Sequence, residues 1–128
     1  MIFFSAPIEP VPFSRPAQNG RRRFNNQRYS EFKDALAFFA HNAMRGRVPF
    51  TGAIKITVDF FKSRPKKSKH RCGDFAIVPS FGDVDNLLKA ALDAFNGIFF
   101  LDDRQVIDAR ARKFFGIPHI EVHLEEVK

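Results

Sequence analysis

The sequence predicts an α+β fold, a mixed or antiparallel sheet of about four strands packed on one side by two helices. Three observations lead there. Apolar and polar residues alternate from Ala53 to Phe61, from Arg104 to Phe115 and from Ile120 to Glu125, which is the period of a strand. A period near 3.6 runs through Phe32, Leu36, Phe39 and Ala43, and another apolar helical face through Leu88, Ala91, Leu92 and Phe95. Proline and glycine break the chain between these stretches into elements of ordinary length.

With 128 residues and a 45% hydrophobic fraction, residues 1–128 read as one compact domain that builds a core without disulfide or metal staples. The formal net charge of +7 points to a polyanionic partner, nucleic acid first and an anionic membrane surface second. A single cysteine, Cys72, makes no internal disulfide and fits a reducing cytoplasm. His70 and Cys72 are too few for a zinc site. Met1 to Ala6 lacks the basic region of a signal peptide, and no apolar run approaches the length of a membrane span.

In chain order, Ile2 to Ala6 is the first strand, ended by Pro7, Pro10 and Pro12. Arg15 to Arg28 is polar and carries Arg21, Arg22 and Arg23 with Phe24 beside them, so it reads as a nucleic-acid arm; guanidinium groups neutralise phosphates and an aromatic stacks on an exposed base. Ser30 caps a helix from Glu31 to about Arg45, which Gly46 stops. On the strand from Ala53 to Phe61, Asp59 falls on the polar face, as a solvated residue or an accessory metal ligand. Lys62 to Arg71 holds Lys66, Lys67, Lys69 and Arg71 around Pro65, too charged for core and too irregular for a strand. It is a loop that grips a DNA backbone. A second helix runs from Asn86 to about Asn96, with Asp93 one turn beyond Lys89 and placed to pair with it. The strand from Arg104 to Phe115 has a basic face, and the last strand carries His119 and His123 as ordinary surface histidines.

The chemistry concentrates in Asp83-Val84-Asp85-Asn86-Leu87-Leu88-Lys89 and in Leu101-Asp102-Asp103-Arg104-Gln105. Two carboxylates about 4 Å apart repel by roughly 4 kcal/mol at an effective dielectric near 20, so a gathering of three or four needs a cation. Oxygen donors without histidine or cysteine suit Mg²⁺, with Mn²⁺ as the substitute. Asp85 reads as the cap of the second helix, and Lys89, at i+4, lies on the same face, where its ammonium meets a scissile phosphate. An Asp-x-Asp before a helix is by itself usually a cap and a loop acid; the lysine, the second acidic pair and the basic surroundings raise it above that. An EF-hand needs a glycine where Leu87 and Leu88 stand.

From Gly82 to Lys113 these motifs resemble the RusA-type Holliday junction resolvases of phages and prophages, whose pattern is Asp-x-Asp-Asn-Leu-x-Lys followed by Asp-Asp-x-Gln-(Val/Ile). A weaker similarity covers Pro12-Phe13-Ser14-Arg15-Pro16. The resemblance implies metal binding by Asp83, Asp85 and Asp103 with Asp102 adjoining, a catalytic Lys89, and a homodimer whose two copies make paired nicks in a four-way DNA junction, leaving 5′-phosphate and 3′-hydroxyl ends. Many members carry a basic residue before the first acid where this chain has Phe81-Gly82, so a phosphate contact made there is either lost or supplied by Lys66, Lys67 or Lys69. Arg15, Arg21, Arg22, Arg23 and Arg71 complete the expected DNA-binding set. Beside the resolvase stand two other readings, a less selective nuclease of flaps or branched DNA and a non-catalytic basic DNA-binding protein. The acid cluster is expected where the second helix begins, beside the Asp102-Asp103 turn.

Overall fold

The computed structural model describes residues 1–13, 20–64, 73–76 and 82–127, with only the backbone described for 20–26. In order the elements are β1 (Ile2–Ala6), α1 (Gly20–Met44), β2 (Ala53–Lys62), α2 (Val84–Phe95), a 3-10 turn (Asp103–Gln105), β3 (Val106–Phe115) and β4 (His119–Val127). The sheet runs β1-β4-β2-β3, with β4 antiparallel to both of its neighbours and β2 parallel to β3. It is therefore mixed. Parallel neighbours need a crossover, and α2 supplies it.

The alternation that marks the strands decides which face is covered. Ile54, Ile56, Val58 and Phe60 of β2 and Ile120, Val122 and Leu124 of β4 are buried on one face, against the two helices. Each such side chain contributes roughly 2 kcal/mol by leaving water. No helix among the described residues covers the other face. There His119 stacks on Phe61 with ring centroids 4.1 Å apart, and Phe61 and Phe75 both stack on Phe114. His119 is thus half-buried and packed, unlike the ordinary surface histidine expected.

Helix α1 begins at Gly20, eleven residues before the expected start at Glu31, and Arg21, Arg22 and Arg23 lie in its first turns. The polar run is compatible with this because arginine is a good helix former, while Tyr29, Phe32, Leu36, Ala40 and Met44 make the buried stripe that anchors the helix. Phe39 and Ala43, expected inside, are only partly buried. Gly46, at φ +80, ends the helix as expected.

Asp59 is the main correction on the sheet. It is 6% exposed, and Arg112 from β3 donates to both of its carboxylate oxygens at 2.7 Å. The parallel register sets Asp59 directly beside Arg112, so the carboxylate is neither solvated nor available as a metal ligand. This pairing also holds the Arg112 guanidinium above its usual pKa.

Candidate active site

The first acidic motif sits where α2 begins. Gly82 precedes it at φ +98, and a Cβ at Gly82 would meet Pro12 Cγ at 2.9 Å, so both the backbone conformation and the contact require glycine. Asp83 is the N-cap residue and makes no side-chain capping hydrogen bond. Asp85, the expected cap, stands instead in the first helical turn; the helix starts two residues earlier than the Asn86 start expected. Both carboxylates are exposed beside the positive end of the helix dipole.

Lys89 lies one turn in and is exposed, its Nζ 4.7 Å from the centroid of the Phe13 ring. That ring is fixed from two sides. The Phe13 N–H donates to the Asn86 carbonyl at 2.9 Å, and Tyr29 packs edge-on at 5.6 Å. Tyr29 in turn donates its hydroxyl to Asp93 at 3.0 Å. Burial, reinforced by the bond to Asp93, pushes the Tyr29 phenol far above its ordinary pKa and keeps it a donor. Asp93 therefore ties α2 to α1 through Tyr29, where pairing with Lys89 was expected, and Phe13 is the neighbour that orients the ammonium.

A basic group missing from the expectations also reaches this end. Lys113 on β3 donates from Nζ to the Gly82 carbonyl at 3.0 Å, immediately before the first acid. Its signal was the inward phase of Lys113 on β3, readable only once α2 is known to cross that strand.

The second acidic motif is a built turn. Asp102 accepts from the Arg104 N–H at 2.9 Å, while Gln105 Oε1 accepts from the backbone N–H groups of Leu101 and Asp102. The result is a reciprocal capping box. Gln105 Nε2 then donates to the carbonyls of Phe50 and Gly52 at 2.9 and 3.0 Å, pinning the turn to the chain entering β2. The Arg104 N–H, aided by the Asp103 side chain and the Arg104 charge, holds the Asp102 carboxyl below its usual pKa despite an opposing desolvation contribution. Asp102 and Asp103 are both exposed.

The two motifs stand at opposite ends of the βαβ unit. Val84 packs near Ala111, Arg112 and Lys113, late in β3, whereas the chain leaving α2 turns through Asn96 to Phe100 beside Phe50 and enters the start of β3. The 12 residues of α2 span about 18 Å between them. Among the described residues no three histidine, cysteine, aspartate or glutamate side chains are grouped as a metal ion requires. The donor chemistry suits a hard divalent cation; the arrangement of Asp83, Asp85, Asp102 and Asp103 within one chain does not gather them around it, which differs from the expected cluster.

Of the expected DNA-binding residues, Arg15, Lys66, Lys67, Lys69 and Arg71 lie outside the described residues. So do the side chains of Arg21, Arg22 and Arg23. The flanks of the second basic stretch are described. Gly116 N–H donates to the Lys62 carbonyl and Gly73 N–H to the Phe115 carbonyl, so the loop departs and returns at the sheet end where Lys113 meets Gly82.

The sequence matches the family described as Endodeoxyribonuclease RusA over residues 7–125. The chain belongs to the RusA endodeoxyribonuclease family. Its two acidic motifs, the α2 start and the capped turn, both fall inside the matched span. This RusA-family chain is also similar to the protein of Bacillus subtilis (strain 168) called "Uncharacterized protein YqaN", 31% identical over 138 aligned positions that cover 98% of this chain and 96% of the relative. No helix among its described residues is long and apolar enough to cross a membrane.

Proposed function

We propose that the protein is a structure-selective endodeoxyribonuclease that resolves four-way DNA junctions by hydrolysing phosphodiester bonds, making paired symmetric nicks as a homodimer in the cytoplasm during recombination and repair. One domain spanning residues 1–128 carries the activity. The observation that carries the reading is the family match together with the exposed Asp83, Asp85 and Lys89 at the start of α2. The assigned catalytic set is Asp83, Asp85, Lys89 and Asp103, with Asp102 as the adjoining metal ligand; because one chain holds the two acidic motifs an α2 length apart, this assignment requires them to meet between the two copies of the proposed homodimer.

Mg²⁺, or Mn²⁺ in its place, supplies a Lewis acid for the phosphoryl oxygens and an acidified water. The chain's own residues prepare the rest. Lys89, held against Phe13, offers its ammonium to the charge that develops on the phosphate. The N–H groups at the start of α2 favour an anion at the same place. Lys113, at the Gly82 carbonyl, supplies positive charge where other members of the family carry a basic residue before the first acid.

Replacing Asp83 with Asn tests the assignment. Cleavage of a synthetic four-way junction in Mg²⁺ should fall at least a hundredfold while binding in EDTA persists or tightens; a fall of that size is about 2.7 kcal/mol of lost transition-state stabilisation. Unchanged cleavage would remove Asp83 from the reaction, while a native chain that binds junctions and does not cleave them would leave the basic DNA-binding protein as the reading. Comparing junctions, flaps and linear duplex separates the resolvase from a less selective nuclease.

A further inference from the structure

Phe75 stands at the end of a ladder of rings. His119 of β4, Phe61 of β2 and Phe114 of β3 stack in turn across the sheet face that no described helix covers, and Phe75 stacks on Phe114. The centroids step by 4.1, 5.1 and 5.1 Å, and neighbouring planes differ by 10°, 21° and 25°. The three rings on the strands are half-buried. Phe75 is 64% exposed, and among the described residues no second ring stacks on it.

The exposed ring is held in place. Gly73 and Ala76 donate their N–H groups to the carbonyls of Phe115 and Lys113 at 2.6 and 3.0 Å, and Phe115 N–H donates to the Asp74 carbonyl at 2.9 Å. Residues 73–76 are thereby stitched to the end of β3. Phe75 lies opposite Phe114 in an antiparallel bridge, which sets both side chains on one face. A ring restrained this firmly yet left in water contributes little to the core.

Phe75 is also one wall of a shallow cleft of about 270 Å³, whose other described walls are Ala76, Val84, Ala111, Arg112 and Lys113. Sites for drug-sized ligands and cofactors run from roughly 300 to 1,000 Å³, so the cleft suits a smaller group. Arg112 is taken up by Asp59, while Lys113 reaches the Gly82 carbonyl, next to the first acid. Val84 lies between Asp83 and Asp85 in the sequence. Whatever fills the cleft therefore sits beside the carboxylates.

We infer that this cleft binds a nucleobase that has lost its stacking partner at the branch point of the DNA, with Phe75 stacked on it as the next ring of the ladder. A base joins a flat apolar face to a phosphate. The cleft offers a ring and aliphatic walls to the first, and Lys113 and the start of α2 offer positive charge to the second. In linear duplex each base is paired and stacked on both sides, and extracting one costs free energy that a base already unstacked does not require. The cleft therefore favours branched DNA over duplex. It does so without reading sequence, because every base has a π-face. The occupant rests on the branched-DNA reading given above.

Binding to a synthetic four-way junction and to linear duplex, both in EDTA, tests the cleft without cleavage. Phe75→Ala should weaken junction binding about tenfold, the worth of stacking one base on one ring, and leave duplex binding unchanged. Phe75→Tyr should bind the junction like the native chain, since the stacking face is kept. Junctions lacking one branch-point base in turn supply the partner half of a double-mutant cycle. At one position the native chain should weaken about tenfold, and Phe75→Ala should weaken no further. Circular dichroism of each variant checks that the fold is intact.

Native-like junction binding by Phe75→Ala, an equal loss on duplex, or a Phe75→Tyr loss as large as that of Phe75→Ala would each overturn the cleft. So would base removal that adds its full cost to that of Phe75→Ala at every position. Each of these leaves the junction reading standing. A native chain that binds junction no more tightly than duplex would overturn the branched-DNA reading, and the cleft's occupant with it.

Discussion

Asp102 shows how one side chain serves a turn through its charged form. The Arg104 N–H donates to it at 2.9 Å and lowers its pKa from the ordinary 3.8. A carboxyl whose folded pKa lies below its unfolded value binds fewer protons when folded. Its stabilisation is fully present above the unfolded value and is lost as pH falls through the folded one. The loss should therefore begin below about pH 5 and continue beneath 3.8. Urea melts across that range should show a smaller acid-side loss for Asp102→Asn than for the native chain, since the amide retains a carbonyl acceptor without the proton linkage. Identical pH dependence would mean that Asp102 contributes no linkage. The acidic pair and Gln105 were legible in the sequence as a motif, though not as the capping box they form within four residues. The bonds from Gln105 to Phe50 and Gly52 were not, since they join positions more than fifty residues apart.

Between elements, contacts follow register, and register is what single-sequence periodicity omits. Alternation identified β2, β3 and β4 and placed Ile54, Ile56, Val58 and Phe60 on the buried face. It put Asp59 on the opposite face and, from that alone, in water. Parallel pairing of β2 with β3 instead delivers Arg112 to it, a partner 53 residues away. The beginning of α1 was hidden because three arginines look like a loop when read for charge, although they are good helix formers. The Asp59–Arg112 pair carries its own prediction. Arg112→Met should destabilise the fold by about 3 kcal/mol, the low end for breaking a buried pair, because the Arg112 side chain is 32% exposed and partly screened. Adding Asp59→Leu should recover most of that loss, since the orphaned buried charge is then removed. Urea unfolding of the single and double variants measures both steps; a double variant no more stable than Arg112→Met would show that the loss came from elsewhere than the stranded carboxylate.

For the whole molecule, the excess of 21 basic over 14 acidic residues raises the question of where positive charge meets DNA. The basic stretch after Lys62 is tethered at both flanks to the sheet end that also carries Gly82, Lys113 and the start of α2. A junction strand brought to Asp83 must overcome repulsion between its phosphates and the carboxylates, and cations nearby reduce that repulsion. Lys66, Lys67 and Lys69 are proposed to do this by contacting the DNA backbone. Each phosphate contact releases counterions, so each lysine replaced should lower the slope of log K against log salt by about 0.9. Replacing all three with Ala should therefore lower the slope by up to about 3, weakening binding most at low salt. The measurement is junction binding in EDTA from low to moderate salt, which isolates affinity from cleavage. Because phosphate contacts carry no base information, affinity should fall evenly across junctions of different sequence. A slope equal to that of the native chain would place these three lysines away from the DNA and leave Lys113 and the α1 arginines as the cations that bring it to the acids.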